Sequence, residues 1–346
     1  MRGLHGREVH VVSYPEGEVR RSDFAIVEAP VPEPAEGQVL VRNTLTSVDA
    51  GLRLRLRERG PEGYFPAFPL HAPLDGIMTV GEVVASEADG FEPGDTVWHA
   101  FGWRDYAVVT AGEEALRGIG TLRCLDATSA RPEAYLGVLG GNGLTAYAGL
   151  LHVAGLRDGD VVWVSASAGA VGSIAAQLAK LRGHRVVASA GSPEKVAYLR
   201  DELGVDAAFD YHDGPLRELV RAAAPDGIDV YFDNVGGDHL EAALDALRRG
   251  GRVAVCGAIS EYDAPAPPPG PRNLFRLVAN DLTLRGFRGS SYAHLIDEMQ
   301  TELGELLRTG RLRYRETVVE GLVNAPEALA RLMRGDTVGK TIVRIA

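Results

Sequence analysis

Apolar and polar positions alternate in short runs over the first third of the chain. "GQVLVRNTLTSV", "VGEVVAS", "DTVWHAF" and "DYAVVTA" carry the two-residue period of strands with one buried face. Glycine, proline and charged residues separate these runs, so residues 1–125 read as an antiparallel, barrel-like domain of strands joined by turns. From about Asp158 the rhythm changes. "DVVWVSAS", "HRVVASA", "DAAFDY", "GIDVYFDNVG", "GRVAVCG" and "DLTLRGF" are nearly continuous apolar runs, and helical stretches such as "SIAAQLAKLRG" part them. Strands of this kind alternating with helices predict a parallel sheet covered on both faces, an α/β domain over residues 126–310. The tail "GKTIVRIA" is strand-like again, so residues 311–346 are expected to return to the first domain. No internal repeat is present. The proline run Ala264–Pro271 fits either a surface loop or a lid over a crevice.

The first apolar run of the α/β part ends in a glycine pattern, A-x-x-G-x-x-G, beginning at Ala166 and placing Gly169 and Gly172 three residues apart. It follows a strand and opens a helix. In that setting one glycine lets backbone approach a pyrophosphate and the other lets the helix pack on the strand, while the helix N-terminus offers N–H groups to phosphate. A dinucleotide-binding site is the reading. The second strand should then end near an acid that accepts from the adenosine ribose 2′-hydroxyl. "ASAGSPEKV" has none. Gly191 and Ser192 stand there instead, with Lys195 one turn into the next helix, a set that suits a 2′-phosphate. NADP is therefore expected rather than NAD. The plainer alternative makes Ser192 only a helix cap and Lys195 a solvated residue. Tyr211, ending the third strand, either closes the adenosine pocket or packs in the core.

Composition narrows the field. Hydrophobic residues at 45% and charged residues at 24% are ordinary for a globular protein. A net charge of −11 argues against nucleic acid or an anionic membrane as the main partner. No apolar run reaches the roughly 20 residues of a membrane span, and the first twelve residues hold no signal-peptide core. Two cysteines, Cys124 and Cys256, make neither a disulfide framework nor a zinc site, so a reduced cytoplasmic compartment is expected. His71, His99 and His152 show no metal-ligand spacing and read as packing or surface residues. No tyrosine has a lysine four residues on, and no G-x-S-x-G elbow occurs. "GDTVGKT", Gly335–Thr341, falls one residue short of a P-loop, with Arg334 where its first glycine belongs, and leads into a strand. The arginines of "LRLRLRER", Leu52–Arg59, read as a solvated amphipathic element or as an anion-binding entrance.

Several stretches together resemble one family: "TSVDAGLR", "VGEVVAS", "PGDTVW", "GGNGLTAYAGLL", "SASAGAVGSIAAQLAKLRG", "AGSPEKV", "DVYFDNVGG", "GRVAVCGAISEY" and "GDTVGKTIV". They are similar to the zinc-independent medium-chain dehydrogenases/reductases, specifically the NADP-dependent alkenal/enone double-bond reductases that include prostaglandin and curcumin reductases. The resemblance implies a Rossmann doubly wound parallel sheet inserted in a GroES-like β-barrel domain, NADPH as cofactor, no metal, and a homodimer made through Rossmann sheet edges. It implies that Lys195 and Tyr211 grip the 2′-phosphate beside Gly191 and Ser192. Ala168, Gly169, Ala170, Val171 and Gly172 would form the phosphate turn. Asn142, Thr145, Asn234, Cys256, Ile259 and Phe287 would line the rest of the cofactor site. Tyr262 would be the catalytic residue beside the substrate carbonyl, with Tyr64 on the substrate-pocket wall. Two departures stand out: Gly51 lies where the family carries an aromatic, and Thr337 where it often carries an asparagine.

The reaction implied is NADPH-dependent reduction of a carbon–carbon double bond conjugated to an aldehyde or ketone. Hydride goes to the β-carbon, and negative charge collects on the carbonyl oxygen, where a hydroxyl donor stabilises the transition state. A phenol, ordinarily titrating near pH ~10, stays protonated and can donate. Quinone reduction or alcohol oxidation on the same fold is an alternative, as is a non-catalytic NADPH-binding sensor.

Overall fold

The computed structural model describes residues 3–264, 266 and 268–345. Of the proline run, read as a surface loop or a lid, Pro265 and Pro267 lie outside the described residues. The chain separates into two compact units, one holding residues up to Gly137 and from Glu316 onward, the other Val138–Arg315. The first boundary thus falls beyond residue 125. A short 3-10 turn, Pro132–Leu136, buries Ala134, Tyr135 and Leu136 in the first unit and packs on its sheet.

In the first unit, β1 (His5–Val11) and β2 (Phe24–Pro30) pair antiparallel. A second sheet holds β3 (Gln38–Val48), β4 (Thr79–Ser86), β5 (Thr96–His99), β6 (Tyr106–Thr110) and β7 (Arg123–Cys124). β3 lies between β4 and β6, and β5 between β4 and β7, each pairing antiparallel. These are the alternating runs of the sequence, and their apolar faces meet: Val39, Val41, Val83, Val97, Val109 and Leu122 form one cluster. Each such side chain contributes on the order of 1.5–3 kcal/mol by leaving water.

The second unit begins with helix α1 (Gly141–Ala148) and continues β8 (Val161–Val164), α2 (Ala170–Leu181), β9 (Arg185–Ala190), α3 (Pro193–Ala197), β10 (Ala207–Asp210) and α4 (Leu216–Ala223). Then come β11 (Ile228–Asp233), α5 (Gly237–Ala246), β12 (Leu247–Val255), α6 (Arg276–Ala279), β13 (Thr283–Gly286) and α7 (Ile296–Arg308). The sheet order is β10-β9-β8-β11-β12-β13, with every neighbouring pair parallel. Winding runs outward in both directions from β8 and reverses between β8 and β11. At such a switch point the loops leaving the strands' carboxyl ends part and open a crevice. Buried Val162, Trp163, Val187, Val230, Tyr231 and Val253 keep the sheet apolar on both faces.

The chain then returns to the first unit through β14 (Glu316–Glu320), helix α8 (Ala325–Met333) and β15 (Lys340–Arg344). β15 pairs antiparallel with β3, and Leu322, Leu329 and Val343 share a core with Val48, Leu52 and Trp103. β15 thus adds a strand to the sheet of the first unit, and this last segment shares that unit's core.

Candidate active site

The glycine turn begins where β8 ends. Ala166 takes φ +46°, a left-handed conformation that a residue with a Cβ adopts only at a cost and that concentrates at functional turns. Its carbonyl accepts from the Gly169 N–H at 3.0 Å. A Cβ on Gly172 would lie 2.4 Å from that same carbonyl oxygen and 2.8 Å from Ser167 Cα, so only glycine lets α2 start this close to the strand. Gly169 is the helix N-cap and offers no side-chain acceptor, which leaves first-turn N–H groups for a ligand. Ala168 and Gly172 are buried, while Gly169, Ala170 and Val171 are half-exposed. A turn bare of side chains, rimmed by N–H donors and free of acids, fits the diphosphate of a dinucleotide.

At the end of β9 the missing acid has a steric counterpart. A Cβ on Gly191 would lie 2.7 Å from Tyr211 Oη and 2.9 Å from two of its ring carbons. No side chain fits there while Tyr211 keeps its place. The Ser192 Oγ accepts from the Lys195 N–H at 3.3 Å, so Ser192 does cap α3, yet its own hydrogen can still donate. Burial raises the Tyr211 hydroxyl above its ordinary pKa, with nearby Asp210 adding to the effect, so it remains a donor. Hydroxyls at 192 and 211 and the Lys195 ammonium suit a phosphate on the adenosine ribose.

The third group gathers past β11 and β12. Asn234 donates from its backbone N–H to Ser165 Oγ at 3.0 Å and from Nδ2 to Ser165 O at 2.8 Å, tying the end of β11 to the end of β8. The 3-10 turn Ile259–Glu261 is stitched to the same loop: the Ile259 N–H donates to Asn234 O at 3.2 Å, and Ser260 Oγ donates to Val235 O at 2.6 Å. Tyr262 follows at once. Its Oη accepts from the Ala258 N–H at 3.4 Å and lies 2.9 Å from where a Cβ on Gly257 would sit. Asp233, fully buried, accepts at Oδ1 from Tyr231 Oη (2.8 Å), Val235 N (3.0 Å) and Gly236 N (2.8 Å). Its desolvation outweighs those bonds and pushes its pKa up. Burial, then the neighbouring Asp233, push the Cys256 thiol up to about 12. It stays a neutral packing group rather than a nucleophile.

Phe287, just past β13, sets its ring edge-on to Phe232 at 6.1 Å and 81°. The Thr145 hydroxyl donates to Gly141 O at 2.7 Å within α1 and abuts Gly289, while Asn142 sits half-buried in the first turn of that helix. The parallel sheet thus brings the glycine turn, Gly191 to Lys195, Asn234, Cys256, Ile259 and Tyr262 to one edge. Sequence reading missed Ser165, Gly257 and Asp233. The acid of "FDNVGG" was a visible signal, but the Ser165–Asn234 bond joins residues far apart in the chain.

Tyr64 belongs to the first unit. Its Oη lies 3.0 Å from where a Cβ on Gly51 would sit, so Tyr64 reaches the place an aromatic at 51 would start from. In "LRLRLRER" the arginines divide: Arg59 is exposed and Arg57 half-buried, as a solvated element would have them, whereas Arg53 and Arg55 are not. Ala50–Arg55 is a 3-10 turn, and Arg53 and Arg55 are buried. Arg53 donates to Gly17 O at 2.7 Å. Arg55 donates to Pro66 O at 2.8 Å and Gly76 O at 3.1 Å, with its guanidinium 3.8 Å over the Phe68 ring. Desolvation lowers the Arg55 pKa to about 10. These guanidiniums satisfy loop carbonyls instead of facing an anion or water. His99 is likewise interior: Nε2 pairs with Asn43 Oδ1 at 3.0 Å and Nδ1 accepts from the Phe101 N–H. Thr337 is buried in the turn before β15. Among the described residues no group of three or more His, Cys, Asp or Glu side chains is arranged to hold a metal ion.

Comparison with known proteins agrees with this geometry. Residues 7–116 match a family described as the N-terminal domain of oxidoreductase, and residues 170–308 one described as zinc-binding dehydrogenase. The chain is 36% identical to the NADPH-dependent curcumin reductase of Escherichia coli, covering 97% of this chain and 96% of that one. It is also 36% identical to the NADP(+)-dependent 2-alkenal reductase of Nicotiana tabacum, over 99% of this chain and 98% of the relative. The crystal structure of CurA in complex with NADPH from Vibrio vulnificus matches with a TM-score of 0.90 and 33% identity, over 98% of this chain and 99% of that one.

Proposed function

We propose, for a chain that belongs to the zinc-independent, NADP-dependent alkenal/enone reductases of the medium-chain dehydrogenase/reductase family, that it reduces the carbon–carbon double bond of α,β-unsaturated aldehydes and ketones with NADPH. Bound NADPH supplies the hydride. The α2 turn at Gly169–Gly172 holds the diphosphate, and Ser192, Lys195 and Tyr211 hold the 2′-phosphate. Asn142, Thr145, Asn234, Ile259 and Phe287 set the nicotinamide end. Tyr262 Oη donates to the substrate carbonyl oxygen as charge builds there, and the α-carbon takes a proton from solvent, directly or through Tyr262, which solvent then reprotonates. The observation that carries this reading is the seat of Tyr262: a phenol fixed to the Asn234 loop, with an N–H donating into its oxygen, which favours donation of its own hydrogen.

One such donor is worth about 3–4 kcal/mol, a few hundred-fold in rate. Incubating the protein with NADPH and a panel of enals and enones, followed by absorbance at the nicotinamide band and mass spectrometry, should give saturated carbonyl products. Tyr262→Phe should cut turnover about a hundredfold with NADPH affinity nearly unchanged. Products that keep the double bond would instead indicate carbonyl or quinone reduction.

The chain is further proposed to act as a homodimer in a reducing, cytoplasmic compartment. Support for the dimer is an open sheet edge at β13 and, before it, exposed Leu274, Phe275 (77%) and Val278 (70%); bare strand edges and large exposed apolar groups favour pairing. Light scattering should give twice the chain mass, and Phe275→Glu with Val278→Lys should give monomers. Two unpaired cysteines fit the compartment.

A further inference from the structure

Tyr211 follows the edge strand β10, yet its ring is held from two sides. His212 lies against one face, ring centroids 4.2 Å apart at 45°, and His239 meets its edge at 5.1 Å and 78°. Each imidazole is itself anchored. The His212 backbone N–H and Nδ1 both lie 3.0 Å from Asp210 Oδ1. His239, in the first turn of α5, donates its N–H to Gly236 O and stacks on Trp163 at 6.1 Å. Trp163 Nε1 in turn donates to Ser189 Oγ at 3.1 Å. His239 is 6% exposed, and its Nε2 has no hydrogen-bond partner among the described residues. Hydrogen bonding at Nε2 therefore does not explain this imidazole, and burial keeps it neutral, with its pKa lowered to about 4. What it supplies to Tyr211 is a T-shaped ring contact.

We infer that His212 and His239 are positioning residues that hold Tyr211 over Gly191, and that this aromatic lock sets the preference for a phosphorylated dinucleotide. Held there, the phenol bars any acid from position 191 and keeps a donor beside Ser192 and Lys195. Released, it deprives a 2′-phosphate of that donor, whereas a dinucleotide with a free 2′-hydroxyl loses nothing. The inference rests on the NADPH reading above.

Equilibrium titration of the full chain with NADPH and with NADH, by calorimetry, tests it without turnover. Aromatic pairs of this kind account for about three- to tenfold in binding. His212→Ala, a surface change, and His239→Leu, a volume-conserving one, should each weaken NADPH by about that factor and leave NADH unchanged. His239→Phe, which restores the ring, should return the preference to within about twofold of wild type. Unchanged NADPH affinity in both His212→Ala and His239→Leu, or a parallel loss for NADH, would overturn the inference. A wild-type protein with no preference for NADPH would instead defeat the cofactor reading, and the lock with it.

Discussion

At the scale of single residues, the site is defined by what is small as much as by what is reactive. Gly191 and Gly257 each lie under a tyrosine hydroxyl, at 2.7 and 2.9 Å from a would-be Cβ, so the backbone makes room for Tyr211 and Tyr262. The backbone N–H of Lys195 is used by the Ser192 cap, and its ammonium is proposed to meet a dianionic 2′-phosphate. Lys195→Ala should weaken NADPH binding by about tenfold or more and leave NADH binding within about twofold, since charge-assisted bonds are worth roughly 1.5–3 kcal/mol. Titration with both cofactors checks this. Equal losses would mean that Lys195 serves the fold and not the phosphate.

At the scale of elements, the decisive contact is between β8 and α2. The turn joining them spends conformational strain at Ala166 so that its carbonyl can meet Gly169 and pass within reach of Gly172. Gly172→Ala would drive a methyl into that carbonyl. The helix would have to shift outward, a cost of about 1–3 kcal/mol, and its N–H groups would move with it. Urea unfolding should show the loss of stability, and calorimetry a weaker affinity for NADPH and NADH alike, because both share the diphosphate. That equality separates this variant from those at Lys195. The Ile259–Tyr262 turn works by the same logic, since three hydrogen bonds to the Asn234–Val235 loop fix it.

At the scale of the whole molecule, the chain builds its first unit from both ends. The buried Lys340 of β15 donates to Val48 O at 3.0 Å and to Asp49 Oδ1 and Ser47 Oγ at 2.6 Å, closing that unit around residues nearly three hundred positions earlier. Burial also holds a histidine neutral in each unit. Desolvation lowers His99 to about 3, with Arg104 adding to the effect, and lowers His239 to about 4. An unfolded histidine titrates near 6.5, so between that value and the folded one the unfolded state binds the extra proton. Stability is therefore complete above about pH 6.5 and falls with acid, at about 1.4 kcal/mol per pH unit for each histidine. Urea unfolding at stepped pH should show this slope. His99→Gln, which keeps a donor for Asn43 and an acceptor for Phe101, should leave only the His239 part, about half the slope.

Much of this was legible in the chain alone. Strand runs, the switch from period two to helix and strand, the spacing of Gly169 and Gly172, and the lack of an acid at Gly191 are local patterns, and local patterns follow from backbone geometry and burial. Arg53 and Arg55 misled because their partners, Gly17 O, Pro66 O and Gly76 O, are backbone carbonyls that carry no mark in a sequence. The extent of the first unit, the Ser165–Asn234 tie and the imidazoles around Tyr211 were likewise decided only in three dimensions. Sequence by itself determined which elements form and what kind of ligand the first β-α-β turn suits. Tertiary structure decided which distant side chains meet, because long-range contacts depend on how the sheet orders its strands, and no short stretch of residues encodes that order.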